Sequence, residues 1–358
     1  MFGAHSITLG SPNITVAVLD NGINFSHPAL LNASWRNSGE TPSNGIDDDN
    51  NGYIDDVYGW DYVNNDPFPL PTPDGKDNNE NGQIDELLWH GTFIAGLISG
   101  KDSASGFCGV APSSKIMALR ILDSDASFND SMWGSIVQAI DYAIANGADI
   151  ISFSIFFSDT PPQTFFNAVA RAIEAGIPFV GISGNNDGPV SYPGRISNVF
   201  CVGATSKESI RAHFSNYGPL LDLVAPGHEI MSCTHDGNYR VGSGTSYTAP
   251  LVAGTISLMK AMNSSLKRTE IEMILKDTAI DLGPPGKDDE YGYGLLDSEN
   301  AVRKAAGLVP QNRNTNESGL PSMHFIAVFL AIQGFILHRI RKNMRGKGNA
   351  PRSPRKTC

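Results

Sequence analysis

ITVAVLDNGI, residues 14–23, is an almost unbroken apolar run that stops at Asp20 and turns at Gly22. A strand without polar alternation is covered on both faces, so it belongs inside a mostly parallel sheet with helices packed on either side. Working outward, similar runs recur at Lys115–Ile121, Asp149–Ser154, Pro178–Ile182, Val199–Val202 and Leu221–Val224. Helical periodicity covers His90–Ile98, Ser131–Asn146, Gln163–Glu174, Ser246–Met262, Arg268–Lys276 and Ser298–Ala305. The order predicts an α/β fold, a three-layer α/β/α arrangement around a mostly parallel, doubly wound sheet. Such sheets gather their functional groups at the carboxyl edge, where Asp20 stands.

The rest of the chain sets limits on that domain. With 358 residues, 41% hydrophobic and 18% charged, it can bury a sizeable core, which excludes wholesale disorder. The formal charge of −11 conceals an asymmetry: residues 339–358 hold eight Lys/Arg and no acid, leaving 18 basic against 37 acidic residues elsewhere. A body that acidic is not expected to bind nucleic acid. Cys108, Cys201, Cys233 and Cys358 stand far apart without metal or redox spacing, and the first three read as small buried hydrophobes. No basic and apolar leader follows Met1. The expected units are an extension over 1–13, a globular domain over 14–307 with an acidic insertion at 44–89, a linker over 308–319, an apolar segment over 320–337 and a basic tail over 338–358.

Two further segments carry chemistry. HGTFIAG, residues 90–96, places His90 at the Gly-flanked start of a helix. GSGTSYTAP, residues 242–250, places Ser246 just before another, whose Pro250 is tolerable only in a first turn. Acyl transfer by serine needs a base within hydrogen-bond reach, because a free hydroxyl is a poor nucleophile. It also needs a carboxylate to fix the imidazole tautomer and stabilise its cation. The chain offers Asp20, His90 and Ser246 in that order.

These segments resemble those around the active-site residues of the subtilisin-like serine proteases. So do GFCGVAP (106–112), YPG (192–194), VGAT (202–205), FSNYG (214–218), LVAPG (223–227) and YGYGLLDSENAV (291–302). The resemblance runs from Ile14 to Gly307. It implies a subtilisin-like fold and a serine endopeptidase acting on proteins or peptides through an acyl-enzyme. It assigns Asp20 as the carboxylate that orients the imidazole, His90 as general base and acid, and Ser246 as nucleophile. ISGNN (182–186) resembles the segment bearing the oxyanion amide, which makes Asn185 that donor, with Gly184 before it. The resemblance further implies an inhibitory pro-segment, cleaved or separate, as a partner.

The chain departs from the family in the cleft. Ser154, Ile155 and Phe156 stand where the family usually has Ser-Leu-Gly, in a segment that pairs with substrate as an added strand. Phe156 is expected to narrow the primary pocket or to pack inward. The opposite wall, within 123–130, has no glycine, and Phe93 occupies a position where the family often has a second His. These departures set a competing reading, a catalytically impaired, membrane-tethered peptide-binding pseudoprotease, beside the enzyme.

The acidic insertion contains a repeat. Asp47, Asp49, Asn51, Tyr53 and Asp55, and then Asp77, Asn79, Asn81, Gln83 and Asp85, fit positions 1, 3, 5, 7 and 9 of a calcium loop, with the turn glycine at position 6 as Gly52 and Gly82. Position 12 fails in both, where Asp56 and Glu86 at position 10 are the substitutes. Structural calcium is therefore expected. Residues 320–337 are near the minimum for a bilayer span, and the cluster beginning at Arg339 favours a cytosolic tail. That reading puts a membrane-anchored protease domain outside the cell or in a lumen, with a secreted protein as the alternative.

Overall fold

The computed structural model describes residues 2–128 and 130–312. The short helix α1 (Phe2–His5) precedes β1 (Thr15–Asp20), β2 (Gly59–Asp61) and helix α2 (His90–Ser99). A small antiparallel pair follows, β3 (Lys101–Asp102) with β4 (Phe107–Cys108). Next come β5 (Lys115–Arg120), α3 (Trp133–Ala145), β6 (Ile150–Phe153), α4 (Gln163–Glu174), β7 (Phe179–Ile182), β8 (Phe200–Thr205) and β9 (Leu223–Pro226). The hairpin β10 (Ile230–Cys233) and β11 (Tyr239–Gly242) leads to α5 (Thr248–Met262), α6 (Arg268–Thr278) and α7 (Ser298–Ala305).

Seven strands form one parallel sheet in the order β2-β5-β1-β6-β7-β8-β9. Its apolar runs are explained by burial on two sides. Val16 and Val18 enter one core cluster with α2 and α5, while Ala17 and Leu19 enter another with α3 and α4. Ile116 and Ala118 against Met117 and Leu119 repeat the division on β5. Each fully buried Val, Leu or Ile contributes about 1.5–3 kcal/mol relative to exposure, so neither face tolerates a polar residue without a partner.

Strand order places the site. The chain leaves β1, adds β5 on one side, then crosses back to add β6 on the other. The carboxyl end of β1 is thus the switch point, the crevice where open α/β sheets bind ligands. Asp20 is its last residue, and Ser154 directly follows β6.

The expected helices and strands lie within a few residues of the observed ones, but the acidic insertion is not purely solvated. Val57 and Trp60 are buried, and β2 pairs with the edge of β5. An apolar stretch, VYGW, overrides the acid-rich composition around it. Gly59 makes the pairing possible: its φ is +120°, and a Cβ there would lie 1.9 Å from the carbonyl oxygen of Ala118. Residues 320–337 lie outside the described residues. Among the described residues, no helix is long and apolar enough to cross a membrane.

Candidate active site

His90 opens α2, and its backbone N–H donates to the Leu87 carbonyl at 2.8 Å. Its Nδ1 is 2.9 Å from both carboxylate oxygens of Asp20. Asp20 is 1% exposed and also accepts the Asn21 N–H at 2.8 Å. An Nδ1–H held by a buried carboxylate leaves the lone pair on Nε2, the tautomer a general base requires. Phe93, fully buried, packs 5.3 Å from Trp89 and 4.6 Å from Tyr247 between ring centroids, in the aromatic cluster beside the imidazole.

Ser246 lies in a 3₁₀ turn, Thr245–Tyr247, that runs into α5. Twelve of that helix's fifteen residues are buried, and Pro250 falls in its first turn as expected. The helix therefore directs its positive end toward the nucleophile from inside the core. Two reciprocal bonds join Ser246 to the end of β6: its hydroxyl donates to the Ser154 carbonyl at 3.2 Å, and the Ser154 hydroxyl donates to the Ser246 carbonyl at 2.8 Å. Among the described residues no hydrogen bond links the Ser246 hydroxyl to His90. The adjoining Tyr247 ring is 6.4 Å from the imidazole.

Asn185 follows Gly184, whose φ of +109° turns the chain sharply after β7. Its side-chain oxygen accepts the N–H of Thr245 at 2.9 Å and the Thr245 hydroxyl at 2.8 Å. Two donors from Thr245, the residue before Ser246, occupy Oδ1 and fix the amide orientation. Asn216 holds the loop from beneath, accepting the N–H of Asn186 and Gly188 and donating to the Pro189 carbonyl.

The cleft departures have distinct placements. Ser154 and Ile155 are buried, and Phe156 is half-buried against the α2 and α5 core. Phe157 is the inward ring, within 4.7 Å of both Phe128 and Trp133, and it exchanges two backbone bonds with Tyr192. In the segment expected to form the opposite wall, buried Asp125 accepts the N–H of Asn78 at 2.7 Å and of Glu86 at 2.8 Å, which rivets that segment to the second acidic loop. Asp125 carried no signal in the sequence, because both partners lie in a remote segment.

The two acidic loops share one backbone design, offset by thirty residues. Asp47 accepts the N–H of Asn51 and Gly52, as Asp77 does for Asn81 and Gly82. The side chains of Asn51 and Asn81 each accept from the N–H two residues on, Tyr53 and Gln83. Asp55 and Asp85 differ from the expectation for position 9. Their carboxylates accept backbone N–H groups at 44–45 and 74–75 and so close the loops. Position 10 takes the inner place: Asn51 donates to Asp56, and both Asn79 and Asn81 donate to Glu86. Glu40, which the loop pattern did not reveal, meets Asp49 and Asp56 with carboxylate oxygens within 4.8 Å of one another. A set of oxygen donors with two buried carboxylates matches the chemistry of a hard divalent cation. Cys201 and Cys233 are free and buried, and burial pushes the Cys233 thiol up to about 12, which makes it a packing residue, whereas Cys108, expected to be buried with them, is exposed in the short β3–β4 pair.

The sequence model of the subtilase family matches residues 11–294. Subtilisin Savinase of Lederbergia lenta is 39% identical over 215 residues, covering 60% of this chain and 77% of that protein. An alkaline protease of Shouchella clausii is 39% identical over 215 residues, covering 60% of this chain but 55% of the relative. The crystal structure of a lanthipeptide protease superposes with a TM-score of 0.66 at 22% identity, covering 84% of this chain and 90% of its own, a likeness of fold.

Proposed function

The chain belongs to the subtilase family and is a serine-type endopeptidase, and on that premise we propose that Asp20, His90 and Ser246 are its catalytic triad, with Asn185 in the oxyanion hole. The observation that carries the assignment is the Asp20 carboxylate bracketing Nδ1 of His90 in a nearly dry setting. Nε2 takes the Ser246 proton as Oγ bonds to the substrate carbonyl carbon. Negative charge then develops on the carbonyl oxygen, opposite Nδ2 of Asn185 and the Ser246 N–H in the turn that leads into α5. Collapse breaks the C–N bond as Nε2 returns the proton to the leaving amine. Water then repeats both steps against the acyl-enzyme, releasing the acid and restoring Ser246.

The substrate is an extended protein or peptide segment laid along Ser154–Phe156 and the wall at 123–130. The half-buried Phe156 ring restricts the side chain accepted there. The bracketed imidazole gives the binding-only reading no support. Calcium, bound through Glu40, Asp47, Asp49, Asn51 and Asp56 in the first loop and Asp77, Asn79, Asn81 and Glu86 in the second, neutralises the insertion and fixes the walls attached to it. An inhibitory pro-segment and an extracellular or lumenal setting belong to the same proposal.

Peptide hydrolysis by the folded chain tests the assignment. Ser246→Ala should lose about 10⁶-fold in kcat, the size of loss measured for the serine of a subtilisin, and Asp20→Asn should lose about 10⁴-fold. Wild-type turnover in either variant would refute it.

A further inference from the structure

Asn21 has an arrangement that the triad alone does not explain. It is fully buried, and both ends of its amide are committed across the start of α2. Oδ1 accepts the Gly91 N–H at 2.9 Å, and Nδ2 donates to the Leu87 carbonyl at 2.7 Å. Those partners flank His90, and the Leu87 carbonyl also receives the His90 N–H.

The first-turn N–H groups of a helix have no partner inside it. The residue at the cap position of α2, Trp89, supplies no side-chain cap. Asn21 supplies the missing acceptor from another part of the chain. Gly91 permits this approach: a Cβ there would lie 2.4 Å from the Gly22 carbonyl oxygen and 3.1 Å from Asn21 Oδ1. The Asn21 backbone N–H meanwhile donates to Oδ1 of Asp20. One residue thus grips the acid by its main chain and the segment bearing the imidazole by its side chain.

We propose that Asn21 is a positioning residue for the reaction, a clamp that sets the separation and angle between Asp20 and His90. The proposal rests on the reading of those two residues as catalytic. Without the side chain, α2 is free to shift against the β1 turn. A displacement near 1 Å costs about 10²-fold in rate when reacting groups must be aligned. The imidazolium that forms during the reaction would also lose part of the carboxylate's support.

Steady-state kinetics of Asn21→Ala and Asn21→Asp on one peptide, from pH 5 to 10, test this. Asn21→Ala should lose between about 10- and 100-fold in kcat with KM little changed, and the acid limb of kcat/KM should move to lower pH. Asn21→Asp keeps the acceptor for Gly91, gives up the donor to the Leu87 carbonyl and adds negative charge at the start of α2, the helix that His90 opens, so its acid limb should move to higher pH. These opposite displacements would not follow from loss of packing alone. If Asn21→Ala does not fold, the isosteric Asn21→Asp decides alone, by the presence or absence of the upward shift. Acid limbs at the wild-type position, with any loss confined to melting temperature, would reduce Asn21 to a structural cap and overturn the proposal. Failure of the triad is read separately: Asp20→Asn would then retain wild-type turnover whatever Asn21 variants do.

Discussion

Asn185 illustrates what a single side chain can and cannot disclose. Its place directly after Gly184 singled it out over Asn186, but only the two donors from Thr245 reveal which end of the amide is free. Asn185→Ala should therefore lower kcat by about 10²–10³-fold with KM nearly unchanged, measured on a peptide ester; the magnitude is that already recorded for the side-chain oxyanion donor of a subtilisin. An equal change in KM and kcat would point to a loop collapse instead. Asp20, His90, Ser246 and Asn185, the residues proposed for the reaction, could be singled out in the sequence because each stands at a turn or helix start that sequence punctuation marks. Asn21, Asp125 and Glu40 were not, since an Asn or an acid acquires such a role only through partners brought near by the fold. Phe156 was ambiguous for the same reason. Whether its ring faced cleft or core depended on packing, and the half-buried position against the α2 and α5 core falls between the two expectations.

Among the elements, the parallel strands and the long helices were readable because two-sided burial leaves continuous apolar runs. The β10–β11 hairpin was missed: β11 reads Tyr-Arg-Val-Gly and is largely exposed, so it lacks that pattern. The hairpin nevertheless buttresses the site, with Ser232 donating to the Phe93 carbonyl in α2. Its far end is moored by His27, whose Nε2 bonds the Asn238 carbonyl at 3.1 Å while Nδ1 accepts the Ala29 N–H at 3.0 Å. Burial lowers the His27 pKa from its ordinary 6.5, and the Asn238 carbonyl, Asp102 and Asp236 only partly oppose that. The unfolded chain therefore binds this proton first, so the stabilisation is complete above pH 6.5 and is lost as pH falls below it. In a Ser246→Ala background that prevents self-digestion, His27→Gln should melt lower than its parent at pH 8 yet lose less between pH 8 and pH 5. Parallel pH dependence in the two proteins would remove His27 from the explanation.

At the scale of the molecule, strand order was the least legible feature, because β1 acquires β5 and β6 as neighbours only through long-range pairing. Charge distribution was more informative. Twelve acids and one Lys between residues 44 and 90 demand compensation, and the first loop brings the carboxylates of Asp49 and Asp56 together with that of Glu40. Calcium at 100 times its Kd would add about 2.7 kcal/mol of stability. For a domain of this size that is roughly 4 °C in Tm. Scanning calorimetry of the Ser246→Ala protein with calcium and with EDTA should show that drop, and Asp56→Asn should reduce it. An unchanged Tm would leave the insertion as a merely solvated acidic surface. All of these interactions converge on one serine, one imidazole and one carboxylate, so the central claim is best tested by treating the folded, calcium-loaded chain with a fluorophosphonate and mapping the adduct by mass spectrometry. One adduct per chain is expected, on Ser246, absent in Ser246→Ala and strongly slowed in His90→Ala. An unlabelled Ser246, or a label on another residue that survives Ser246→Ala, would contradict it.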